Sequence, residues 1–114
     1  MVLRFRKVNR DIFEAIKNGR KPVETRAATK RYRNIKAGDV ILFVCGENSF
    51  KKRVKKARIF RTIDAMLKKY KVKDLNPTVT TAHELKAGYY SFPKYREKIK
   101  KYGLVAFELK YLNI

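Results

Sequence analysis

The chain has 114 residues, room for one domain, spanning 1–114. It carries 30 Lys plus Arg against 10 Asp plus Glu, a net charge of +20, with 45% hydrophobic residues. That apolar fraction excludes wholesale disorder, and the charge points to a polyanionic partner, nucleic acid first. A lysine-rich thermophile's proteome is the other source of such a charge, but that habit raises Glu as well, and here Glu stays low.

Val2-Leu3-Arg4-Phe5-Arg6 is a short strand candidate. Asn9 offers an N-cap, with Val8 and Phe13 spaced for a hydrophobic staple. Ile12, Phe13 and Ile16 form one helical stripe, and Gly19 suits the helix end. After Pro22 the chain is expected to be extended, because proline prevents the helix from resuming. Alternation then puts Glu24 and Arg26 on one face and Val23 and Thr25 on the other, with Lys21 at the turn beside the first face. One carboxylate would lie between two cations.

From Ala27 to Lys36 there are four cations, Lys30, Arg31, Arg33 and Lys36, and no anion, with Tyr32 interleaved. This is either a solvated loop or a loop that meets phosphates, with Tyr32 free to stack on a base. Ala37-Gly38-Asp39 marks a turn, Val40 to Cys45 is an apolar strand, and Gly46-Glu47-Asn48-Ser49 is a hairpin loop candidate. Phe50 to Ile63 is strand-like, with Lys51, Lys52, Arg53, Lys55, Lys56, Arg58 and Arg61 as seven cations and no anion. Neither face is cleanly apolar, which predicts a bulge or a twisted barrel strand. A strand holds its cations at fixed spacing, so Lys51, Lys52, Arg53, Lys55, Lys56 and Arg58 are candidate phosphate contacts.

Asp64 to Tyr70 reads as a short helix and Lys71 to Pro77 as a connector. Thr81 and Glu84 fit a capping box, Gly88 is expected to end that helix, and Tyr89, Tyr90 and Phe92 cluster before Pro93. Phe92, Tyr95, Ile99 and Tyr102 share one helical face up to Gly103, and Leu104 to Leu112 is the last strand. The order of strands and helices argues α+β rather than a doubly wound sheet.

Cys45 is the single cysteine and sits in an apolar run, so it reads as core. No Cys-His constellation or paired carboxylate spacing implies a metal, and no cofactor is expected. There is no secretory h-region and no apolar run near the roughly 20 residues that span a bilayer, so a cytoplasmic protein is expected, not a membrane one. His83 reads as surface or packing.

Gly19-x-Lys21-x-x-Glu24-x-Arg26, placed between a first helix and a Gly-Asp turn, resembles the signature of the ASCH domain family. The resemblance covers nearly the whole chain. It implies a PUA-like mixed β-barrel with flanking helices, a pocket under the motif and RNA-related roles. Under that reading Lys21, Glu24 and Arg26 hold an exposed base or nucleotide, Tyr32, Tyr89 or Tyr90 stacks, and Lys30, Arg31 and Arg33 join the strand cations on phosphates. Some members resemble small amidohydrolases acting on acetylcytidine. The resemblance would then assign catalysis to Lys21, to a hydroxyl at position 24, and to a distal glutamate, best matched by Glu84. Position 24 is Glu here, and Thr25 is predicted on the opposite face, which weighs against an acyl-enzyme route. Glu24 acting on water with Lys21 as oxyanion partner is the remaining catalytic alternative, and a structural ion pair is the simplest role for Glu24 and Arg26.

Overall fold

A computed structural model describes residues 1–112. The strands are β1 (Val2–Arg4), β2 (Val23–Ala27), β3 (Val40–Cys45), β4 (Asn48–Phe60) and β5 (Leu104–Tyr111). The helices are α1 (Arg10–Lys17), α2 (Lys30–Arg33), α3 (Ile63–Leu67), α4 (Val72–Leu75), α5 (Ala82–Tyr90) and α6 (Tyr95–Tyr102). The strands form one sheet in the order β1-β3-β4-β5-β2. Only β1 and β3 run parallel; the other neighbours are antiparallel. This is the expected α+β, barrel-like architecture, curled so that β1 and β2 face each other across an open seam.

The inside of the curl is one apolar cluster. Leu3, Phe13, Ile16, Ile41, Phe43 and Phe107 are its large fully buried members. Phe43 stacks on Phe50 at a centroid distance of 5.0 Å. A second cluster lies outside β2 and β5, where α3 to α6 cover Val23, Ala27, Leu104 and Ala106. Leu104 to Phe107 are therefore buried on both faces, and the alternation expected of the last strand disappears there.

The mixed pattern of β4 is explained by a bulge between Val54 and Lys56. The extra residue, Lys55, shifts the phase by one. Val54 and Ala57 then both meet the inner cluster, although strict alternation would part them, while Phe60 packs on the outer one.

Local chemistry sets several boundaries. Gly19 takes φ +87° at the exit of α1, and a Cβ there would come within 2.9 Å of the Tyr111 hydroxyl. Gly103 takes φ +77° and closes α6; its Cβ would sit 2.2 Å from the Phe60 carbonyl oxygen. Both positions demand glycine. Thr62 caps α3 by accepting from Ala65 N–H at 3.0 Å.

Other expectations need correction. Asn9 precedes α1 without a side-chain cap, because a 3₁₀ turn over Lys7–Asn9 already supplies the entry. Val8 is 75% exposed, so no staple to Phe13 forms. The segment 30–33 is a helical turn rather than a loop, and 72–75 is another within the connector. Gly88 does not end α5, which runs to Tyr90. Its φ is not positive, and a helical glycine without a capping bond is no stop signal. Pro93 precedes α6 by two residues and does not open it; Lys94 at φ +62° is the N-cap.

Candidate functional site

β2 is an edge strand, and its outer edge borders the seam. Leu109 N–H bonds the Pro22 carbonyl and Ala28 N–H bonds the Gly103 carbonyl. The backbone groups of Glu24 and Arg26 therefore face β5, and those of Val23, Thr25 and Ala27 face outward. Such an edge invites foreign strands unless its polar groups are met. Here four of the six outward groups are met, three of them by side chains. Lys21 Nζ donates to the Val23 carbonyl at 2.6 Å, Thr25 N–H donates to Glu24 Oε1 at 2.9 Å, and Ala27 N–H donates to the Tyr95 hydroxyl at 3.1 Å. Thr29 N–H closes on the Ala27 carbonyl at 2.8 Å. Among the described residues the Thr25 carbonyl has no donor.

The same contacts assemble the motif. Lys21 and Glu24 are 3% and 4% exposed. Lys21 Nζ also donates to the Leu75 carbonyl at 2.6 Å and lies 3.3 Å from Glu24 Oε1. Val23, Leu75 and Glu24 match the three N–H bonds of an ammonium, so Lys21 has no proton left for a ligand. Arg26 Nη2 reaches Glu24 Oε2 at 3.3 Å. Its guanidinium is held 5.2 Å from the Phe5 ring centroid and 5.7 Å from that of Tyr32. The arginine thus spans the seam, tying β2 to the segment after β1.

Burial would push the Glu24 carboxyl up, but the charges of Lys21 and Arg26 and the Thr25 N–H outweigh it and hold it below the usual carboxylate range. Burial draws Lys21 down despite the opposing pull of Glu24. The Tyr89 hydroxyl is pushed up, chiefly by burial, and is hydrogen-bonded to Thr25 Oγ1. A carboxylate with a depressed pKa is a poor general base at neutral pH, and a hydroxyl held by a neutral tyrosine is not activated.

Above the motif lies a pocket of about 480 Å³. Its floor is Lys21, Glu24, Thr25 and Arg26; α4 and α5 supply Leu75, Gly88 and Tyr89; Arg4 and Arg6 stand on the β1 side. Both faces of β2 reach it because the pocket opens onto the strand edge. Thr25 therefore lines it despite alternation. A carboxylate offers about four acceptor positions. Thr25 N–H and Lys21 occupy Oε1 and Arg26 takes one place on Oε2, which leaves Oε2 a lone pair. Together with the Thr25 carbonyl, that gives two free acceptors at the pocket wall.

The remaining sequence candidates divide. Tyr89 lines the pocket; Tyr90 does not, packing against the outer cluster with Arg96 4.0 Å from its ring centroid. Tyr32 is engaged by Arg26 and by Arg31, 5.4 Å from its centroid, and is outside the pocket lining. Glu84 is exposed and belongs to its capping box: Oε1 accepts from Thr81 Oγ1 at 3.1 Å, and Glu84 N–H donates back to Thr81 at 3.1 Å. It is not in the pocket lining. Lys30, Arg31 and Arg33 are exposed on α2, and Lys51, Lys55 and Lys56 on β4. Arg53 donates to the Gly38 carbonyl at 2.8 Å, and Arg58 lies 3.5 Å from Glu108. Lys52 is withdrawn from any phosphate surface: alternation with Phe50 and Val54 turns it inward, 5% exposed, with Nζ 3.6 Å from the Tyr111 ring centroid. Sequence reasoning missed Arg4 and Arg6 as pocket residues, and Gly88, whose missing side chain keeps the α5 wall open. A glycine inside a capped helix was the available signal. Among the described residues no group of three or more His, Cys, Asp or Glu could hold a metal, and no helix is long and apolar enough to cross a membrane.

No curated protein matches the sequence. Two solved structures are similar along their whole length. One is the crystal structure of hypothetical protein PH0355, 32% identical with a TM-score of 0.82, covering 98% of this chain and 100% of that one. The other is the solution NMR structure of protein PF0455 from Pyrococcus furiosus, 34% identical with a TM-score of 0.76, covering 100% of both. The ASCH domain profile matches residues 7–113. With the motif, the fold and this match in agreement, the chain belongs to the ASCH domain family.

Proposed function

We propose that the domain is a nucleic-acid-binding module that takes one nucleotide of an RNA strand into the seam pocket. The observation that carries this is the pairing of two free acceptors, Glu24 Oε2 and the Thr25 carbonyl, with a cationic rim at Arg4 and Arg6. A base edge bearing an amino group satisfies the acceptors, and a phosphate meets the arginines. The volume of about 480 Å³ lies within the range of small-molecule sites. Outside the pocket, Lys51, Lys55 and Lys56 hold the strand by charge without reading it.

The committed protons of Lys21 and the depressed pKa of Glu24 favour binding over hydrolysis. The test is competition. A labelled single-stranded RNA is displaced by each of the four nucleoside monophosphates, followed by fluorescence anisotropy. The three with an exocyclic amino group, the adenosine, guanosine and cytidine monophosphates, are expected to compete better than uridine monophosphate. Arg4→Ala with Arg6→Ala should weaken all four. Equal failure of all four would remove the pocket from the interface, and release of cytidine from acetylcytidine would replace binding by catalysis.

A further inference from the structure

A second groove, of about 500 Å³, lies where the free part of β4 faces the segment between α2 and β3. β3 pairs with β4 only from Asn48 to Arg53, and Val54 is bonded both ways by Gly38 and Asp39. Beyond the bulge that side of β4 has no strand among the described residues. Leu104, Ala106 and Glu108 of β5 present their backbone groups to β4, because Gly103 and Leu109 bond toward β2. Lys56, Arg58 and Phe60 are thus paired with β5, and the backbone N–H and C=O of Ala57 and Ile59 point into the groove. No hydrogen bond to these groups exists among the described residues. Ile59 is 48% exposed, and the lining contains Arg33, Lys36, Lys56 and Arg58 with no acid.

We infer that this edge is a docking site for an extended acidic peptide, which adds to β4 as a further strand. The free groups alternate donor and acceptor at the strand repeat, about 6.8 Å between Ala57 and Ile59. Another extended polypeptide backbone satisfies both kinds at that spacing, and its alternate side chains fall beside the groove wall. A phosphodiester chain supplies acceptors for the N–H groups but leaves the two carbonyls without regular donors. Charge selects the occupant further. A second copy of this chain brings its own Lys55, Lys56 and Arg58 to the same edge and is repelled, whereas acidic side chains meet Arg33, Lys36 and Lys56. The site is separate from the seam pocket and does not depend on its ligand.

The probe is a fluorescein-labelled octapeptide of alternating Glu and Val, titrated with the full chain. Its control carries N-methyl groups on alternate amides, which removes one row of donors and keeps the charge. Binding of the peptide should slow hydrogen exchange at the Ala57 and Ile59 amides. The methylated peptide should bind at least about tenfold more weakly, as expected for two lost backbone bonds. Ile59→Pro, which deletes one donor at a position free of ladder bonds, should weaken the peptide by the smaller share of one lost bond, with the melting point kept. Lys36→Glu should also weaken the peptide without touching the backbone, so the charge arm stands even where the proline variant fails to fold. Equal affinity for the methylated peptide, or unchanged affinity of Lys36→Glu, overturns the proposal. An oligouridine octamer that protects the same two amides as strongly assigns the groove to nucleic acid and overturns it as well.

Discussion

Replacing Glu24 by Gln removes a charge and almost no volume. In the native protein the carboxylate compensates Lys21 at 3.3 Å and Arg26 at 3.3 Å, and accepts from Thr25 N–H at 2.9 Å. The amide can keep the Thr25 bond, but it leaves two cations without an anion. Removing one member of a buried pair costs about 3–5 kcal/mol. Arg26 is 20% exposed and Lys21 keeps two carbonyl partners, so the lower end applies, about 3 kcal/mol. For a domain of this size that lowers the melting midpoint by about 12 °C. The assay is a circular-dichroism melt beside Glu47→Gln, an exposed control in the β3–β4 turn expected to change stability by less than about 0.5 kcal/mol. The pH dependence has a definite sign. The folded carboxyl is depressed, so its stabilising contribution is full above the unfolded value near 4 and is lost as pH falls through the folded one. The gap between wild type and variant should close on acidification. A midpoint within about 2 °C of wild type at neutral pH, or a gap that widens in acid, would mean that Glu24 is not the anion holding Lys21 and Arg26 in place.

Binding predictions are independent of that stability effect. Affinity for single-stranded RNA should fall steeply with salt, and Lys51→Ala with Lys55→Ala should flatten the log–log slope by up to about 1.4, roughly 0.7 for each phosphate released; Lys52→Ala should leave it unchanged, because that amine is turned inward. Gly88→Ala should raise the melting point, since a Cβ there meets nothing within 4 Å and alanine gains up to about 1 kcal/mol over glycine in a helix. Gly88→Leu should keep the fold and abolish nucleotide competition by filling the pocket. Thr81→Ala should cost about 1 kcal/mol through the lost cap and leave RNA affinity unchanged. Glu84→Gln should likewise spare affinity; a loss there would restore Glu84 to the site.

How far the sequence could be read depended on whether a signal was local. The motif turn, the extended run from Val23 and the Thr81–Glu84 box rest on neighbours in the chain, and they stand in the structure where those neighbours placed them. The bulge was legible as a conflict in β4, but its position at Lys55 was not, because register is set by β5. Lys52 looked like any other lysine of the run; its inward turn follows from the phase fixed by Phe50 and Val54. The pocket was legible only at Lys21, Glu24, Arg26 and Tyr89. Arg4 and Arg6 reach it because the sheet curls β1 round to face β2, a long-range fact with no trace in the spacing of either segment. The commitment of all three Lys21 protons was invisible for the same reason, since Leu75 lies on α4.

The most direct test of the seam pocket is an amide NMR titration of the full chain with the nucleoside monophosphate that competes best. Occupation of the seam should give saturable shifts at Thr25, Arg26, Gly88 and Tyr89, lost in Gly88→Leu and retained in Lys51→Ala. Shifts confined to the exposed lysines of β4, with the β2 edge and α5 unmoved, would contradict it.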